Sequence, residues 1–153
     1  MEKRLIYHFL NDDELLRISH KIKETETKTA GEICVTIREH RHFKNRKKSV
    51  KELAEAEFLR LGIGKTRDKT GVLIFILLEG RQFYILTDSG INEKVPQNTW
   101  DNIKDEMQKL FINGEFCKGI IYGINEVGSI LAAHFPVKPD DTNEISDKVQ
   151  IEN

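Results

Sequence analysis

Apolar positions recur along the chain with two different periods, and the switches between them mark out the elements. Leu15, Ile18 and Ile22 fall three and four residues apart, and Asn11 and Glu14 have the spacing of a capping pair. A first amphipathic helix is therefore expected from about Asp12 to Lys28. Beyond Gly31 the β-branched run Ile33-Cys34-Val35-Thr36-Ile37 predicts a strand. Helical spacing returns at Val50, Leu53, Ala54, Phe58 and Leu61 and stops at Gly62. The stretch from Gly64 to Gly71 has loop chemistry and feeds Val72-Leu73-Ile74-Phe75-Ile76-Leu77-Leu78, apolar at every position. A run with no polar face predicts a central strand covered on both sides. Glu79-Gly80-Arg81 predicts a tight turn, after which Phe83-Tyr84-Ile85-Leu86 returns as an antiparallel hairpin strand. Residues 88–96 read as loop or one short helical turn. Trp100, Ile103, Met107, Leu110 and Phe111 mark a third long helix closed by Asn113-Gly114, and Phe116, Ile120, Ile121, Ile124, Val127 and Leu131 mark a fourth.

Strand, helix, strand in sequence implies a right-handed crossover and parallel pairing of the first two strands. The expected class is α/β, a three-layer α/β/α sandwich with helices on both faces of a small mixed sheet. Residues 1–136 are expected to form a single domain. Residues 137–153 are polar and acidic, with little to bury, and are expected to be a flexible tail.

Composition narrows the partners. Lys and Arg total 24 against 25 Asp and Glu, so the overall charge gives no reason to expect nucleic acid or an anionic membrane. The N-terminus has no apolar h-region and no window is long enough to span a bilayer, which predicts a cytoplasmic protein. Cys34 and Cys117 lie far apart without metal-ligand or disulfide-framework spacing, and read as reduced packing residues. The one strong local charge cluster is the loop 38–48, with Arg38, His40, Arg41, His42, Lys44, Arg46, Lys47 and Lys48. It is either a solvated loop or a patch for a protein partner.

The candidate chemistry is carboxylate chemistry. Glu32 stands at the start of the first strand, Asp68 just before the second, and Asp88 just after the antiparallel third. The topology puts all three at one end of the sheet. Carboxylates brought together repel one another, and a hard divalent cation, Ca²⁺ first and Mg²⁺ second, offsets that repulsion. Carbonyls of Thr66, Asp88 or Gly90 could complete an oxygen shell. The plain alternative is that Asp68 and Asp88 cap turns and that Glu32 pairs with Arg67 or Lys69. Gly64-Lys65-Thr66 is not a phosphate-binding loop: Leu59 stands where that motif needs glycine, and the segment leaves a helix and enters a strand instead of the reverse. His40 and His42 have no third ligand at zinc spacing, and no nucleophile elbow is present.

Taken together, Thr29-Ala30-Gly31-Glu32-Ile33, Leu61-Gly62-Ile63-Gly64-Lys65-Thr66, Asp68-Lys69-Thr70-Gly71-Val72-Leu73-Ile74 and Asp88-Ser89-Gly90-Ile91 resemble the TPM-domain family, found in thylakoid-lumen, photosystem-repair and receptor-modulator proteins. The resemblance covers roughly residues 8–136, and Phe111-Ile112-Asn113-Gly114-Glu115-Phe116 fits the family's last two helices. It implies a Rossmann-like α/β/α sandwich, a divalent-cation site at the loop carrying Asp68, and acid phosphatase activity of the kind reported for plant relatives. Asp88-Ser89-Gly90 replaces the common Gly-Tyr-Gly after the third strand, which adds a ligand candidate and departs from the pattern that would carry catalysis over. The leading expectation is a domain that binds a divalent cation, with Asp68, Asp88 and Glu32 as ligands. The alternatives are a metal-assisted phosphatase and an interaction module without catalysis.

Overall fold

A computed structural model describes residues 4–65, 69–137 and 149–153. After a 3-10 turn at Leu5–His8, the chain forms α1 (Asp12–Glu26), β1 (Glu32–Arg38), α2 (Val50–Arg60), β2 (Gly71–Leu77), β3 (Gln82–Thr87), the single turn α3 (Ser89–Asn92), α4 (Gln97–Ile112), α5 (Phe116–His134) and β4 (Gln150–Glu152). Local chemistry sets several of these boundaries. The Asn11 side chain accepts the Glu14 N–H at 2.8 Å while the Asn11 N–H donates to Glu14 Oε1 at 3.0 Å. Ser49 and Glu52 form the same reciprocal cap on α2. Gly80 and Arg81 both take positive φ, 85° and 53°, in the four-residue connection between Leu77 and Gln82.

The sheet has the order β3-β2-β1-β4. β1 and β2 are parallel with Glu32 opposite Gly71, and β2 and β3 are antiparallel with Val72 opposite Thr87. All seven residues of β2 are buried, as its unbroken apolar run predicts. Alternation along β1 and β2 divides the core in two. Ile33, Val35, Ile37, Val72, Ile74 and Ile76 join Ile18 and Ile22 of α1, Met107 of α4 and Ile120 and Ile124 of α5. Cys34, Leu73, Phe75 and Leu77 join Leu53 and Ala54 of α2, with Ile63. The α/β class expected from the sequence is the class found.

Two expectations need correction. The end of the chain is not all tail: Gln150–Glu152 runs parallel to β1, with Thr36, Ile37 and Arg38 opposite Gln150, Ile151 and Glu152. Arg38 is also not part of a solvated basic loop. Its side chain is only 10% exposed, and Nη2 lies 3.5 Å from Glu57 and 3.1 Å from Glu152. Arg60 closes the group, with Nε 2.8 Å from Glu57 and Nη2 2.6 Å from Glu152. Two arginines thus hold one carboxylate from α2 and one from β4, and an edge strand too short to signal itself by periodicity is fixed by charge. Removing residues 149–153 is expected to lower the melting temperature by several degrees, since each lost kilocalorie moves it by about 2–4 °C in a chain of this size. An unchanged thermal melt would show that β4 contributes nothing to the domain.

Candidate functional site

The site expected at the sheet end is built from the first residue of β1, the loop before β2 and the residue after β3. Glu32 opens β1 and is buried. Its N–H donates to Thr70 O at 3.2 Å, and the Asp88 N–H donates to Gly71 O at 3.0 Å. Gly90 adds a third tie, donating to Lys69 O at 2.9 Å. The strand ends and the segment 69–71 are therefore knitted together, and Glu32 and Asp88 flank Gly71. Two strand spacings separate their Cα atoms by roughly 10 Å. An Asp and a Glu side chain can close that gap around one ion with oxygen ligands at about 2.4 Å. Asp68 and Thr66 lie outside the described residues. The described part of the site supplies two carboxylates, and no group of three or more His, Cys, Asp or Glu residues that could hold a metal ion occurs among the described residues.

Backbone shape at this end is specialised. Lys69 adopts φ of 56°, a left-handed conformation uncommon for a residue other than Gly, Asn or Asp. A Cβ on Gly71 would lie 2.2 Å from Ile63 Cγ2, so only glycine lets the Ile63 turn pack over the start of β2. Gly71→Ala is expected to lower stability measurably in denaturant melts and to displace the loop before β2. A neutral effect would mean that Ile63 can move aside freely.

The two oxygens of Asp88 differ. Oδ1 accepts the Ser89 N–H at 2.7 Å and caps α3, the role foreseen by the plain turn-cap reading. Oδ2 is buried and has no hydrogen-bond partner among the described residues. Burying a carboxylate oxygen without a donor is costly, and an orphaned oxygen of this kind is what a cation would satisfy. Carboxylate oxygens suit a hard ion, while the carbonyls of Lys69, Thr70 and Gly71 already accept the N–H groups of Gly90, Glu32 and Asp88.

Other candidates fall away on geometry. His40 Nδ1 lies 3.0 Å from Glu79 Oε2, a pairing across the hairpin end instead of a shared ion with His42. Both cysteines are free and buried. Burial pushes the Cys34 thiol up to about 12, and burial with the nearby Glu14 charge raises Cys117. Neither favours the thiolate a nucleophile needs. Sequence reasoning passed over two carboxylates that the fold buries deeply, Glu39 and Glu57. Glu57 sits four residues after Leu53, on the inward face of α2, and that placement was the available signal.

Comparison with known proteins agrees with this architecture. The NMR structure of the BA42 protein from the psychrophilic bacterium Bizionia argentinensis superposes with a TM-score of 0.83 at 32% identity, covering 94% of this chain and 95% of that one. The solution NMR structure of the N-terminal domain of a protein from P. gingivalis gives a TM-score of 0.65 at 18% identity over 83% and 79% of the two chains, a likeness of fold alone. No curated protein matches the chain. No described helix is long and apolar enough to cross a membrane. The sequence profile of the TPM domain matches residues 7–130, and on that match this chain belongs to the TPM-domain family.

Proposed function

We propose that the domain binds a hard divalent cation, Ca²⁺ in preference to Mg²⁺, at the sheet end formed by Glu32, Asp88 and the loop carrying Asp68. The observation that carries the reading is Asp88 Oδ2, a buried carboxylate oxygen with no donor among the described residues. An ion there supplies the missing partner and offsets the repulsion of acidic side chains held at one end of the sheet. Asp68 enters by its place in the sequence, three residues before β2.

A ligand that binds only the folded state stabilises it by RT ln(1 + [L]/Kd), which is about 2.7 kcal/mol at a hundredfold excess over Kd. Calcium should therefore raise the melting temperature by roughly 5–10 °C. Asp88→Asn keeps an acceptor for the Ser89 N–H but removes the charge, and Asp68→Asn removes a charge from the loop. Both should weaken binding in calorimetric titration while leaving the metal-free fold nearly as stable. If neither Ca²⁺ nor Mg²⁺ gives heat or a melting shift at about millimolar concentration, the site is lost and these residues are turn caps. A bound cation can polarise a phosphoryl oxygen and activate water. Calcium-dependent turnover of a simple aromatic phosphate ester, abolished in both variants, would extend the same site to hydrolysis.

A further inference from the structure

At the other end of β2, some 20 Å from Gly71 by strand rise, the sheet carries a cavity of about 240 Å³. Three stretches far apart in sequence wall it. The N-terminal 3-10 turn brings His8 and Phe9, the β2–β3 hairpin brings Arg81 and Phe83, and the α4–α5 junction brings Phe111 and Phe116. Their rings form one cluster: Phe9 to Phe116 at 5.1 Å, Phe116 to Phe111 at 4.8 Å and Phe111 to Phe83 at 5.1 Å between centroids. An apolar cavity of ~150 Å³ admits benzene, so this one has room for a ring with a short side arm.

Arg81 gives the cavity its charge. Its guanidinium carbon lies 5.7 Å from the Phe9 ring centroid, and its side chain has no carboxylate or carbonyl partner among the described residues. The nearest acidic residue in the turn, Glu79, is taken by His40 at 3.0 Å. The hairpin also holds Arg81 at φ of 53°, where asparagine or glycine is the usual residue. A strained position filled by a long cation, over an aromatic hollow, is where a site is to be sought.

We propose that this cavity is a second ligand site, separate from the candidate cation site, which takes a small amphipathic carboxylate. The apolar body lies among Phe9, Phe111 and Phe116, and the carboxylate sits on the Arg81 guanidinium. The planar guanidinium matches a carboxylate through two parallel N–H···O bonds, and the rings supply dispersion and burial for a flat body. A neutral ligand of the same shape would leave the arginine without an anion.

The test is a titration of the full chain with 3-phenylpropanoate and, separately, its neutral isostere 3-phenylpropan-1-ol, followed by amide chemical shifts. The carboxylate is expected to bind about tenfold or more tightly than the alcohol, as a charged hydrogen-bonded pair implies, with the largest shifts at Phe9, Arg81, Phe111 and Phe116. Arg81→Gly suits the positive φ, so the hairpin is kept, and the two ligands should then bind alike. Equal affinities in the unaltered protein would overturn the proposal. So would shifts that map elsewhere, or no saturable shift by about 10 mM, an affinity weaker than roughly 3 kcal/mol.

Discussion

Replacing Phe75 with alanine is expected to cost about 3–5 kcal/mol of folding free energy, and replacing Ile74 about 2–5 kcal/mol. The two residues are neighbours on β2 and both are fully buried, yet they face opposite sides of the sheet. Phe75 packs in the cluster with Leu53, Ala54 and Ile63, and the Arg38 guanidinium carbon lies 5.1 Å from its ring centroid. Ile74 packs with α1 and α5 residues such as Ile22 and Ile124. Each truncation removes the transfer free energy of the deleted atoms and leaves a cavity that strands fixed on both edges cannot close. Because the clusters are separated by the sheet backbone, the two losses should add to within about 0.5 kcal/mol in the double variant. Urea or guanidinium denaturation measures all three. A loss below about 0.5 kcal/mol at either site would place it at the periphery, against a strand covered on both faces.

Glu57→Gln is expected to cost about 3 kcal/mol, the lower end for removing one partner of a buried ion pair. The Glu57 side chain has no solvent exposure and stands against Arg38 and Arg60, with the Thr36 hydroxyl donating to Oε2 at 2.9 Å. Burial works against its charge, but the Arg60 and Thr36 hydrogen bonds and the two guanidinium charges outweigh that, so its carboxyl lies below the ordinary range. Glu39 is similar: burial opposes the charge, while the Ile6 N–H at 2.9 Å and Arg4 at 2.8 Å more than restore it. A carboxyl held below its unfolded value contributes stability in full above that value and loses it as pH falls through the folded one. The domain should therefore weaken in acid, over the range from about pH 4.3, the unfolded glutamate value, downward. The glutamine variant, already without one of these groups, should lose less between about pH 7 and pH 3. Equal acid losses in the two proteins would mean that Glu57 titrates alike folded and unfolded, and a cost near zero at neutral pH would mean that Arg38 is satisfied by Glu152 alone.

What the sequence by itself determined was everything that depends on neighbours in the chain. The unbroken run from Val72 to Leu78 identified β2 because a strand with no polar face has to be covered twice. Asn11 with Glu14 fixed the start of α1, and Glu79-Gly80-Arg81 the hairpin, because caps and tight turns are satisfied within a few residues. Strand directions followed from the connections, so the placement of Glu32 and Asp88 at one end of the sheet was legible as topology. The cap made by one Asp88 oxygen was legible too, as a turn signal within the chain, whereas the burial of the other without a donor among the described residues was not, because it follows from the way the strand ends are tied together. Only the tertiary structure decided the rest. Three residues at Gln150–Glu152 carry no period that marks a strand, and they join the sheet because Arg38 and Arg60, both also paired with Glu57, reach Glu152 across 114 and 92 residues of chain. The same long-range pairing withdrew Arg38 from the basic loop to which its sequence neighbours assigned it. The aromatic cavity over Arg81 likewise exists only where the first turn, the hairpin and the α4–α5 junction meet. Charge pairing and ring packing act through space, and a pattern read along one chain registers only those contacts that recur at its own period.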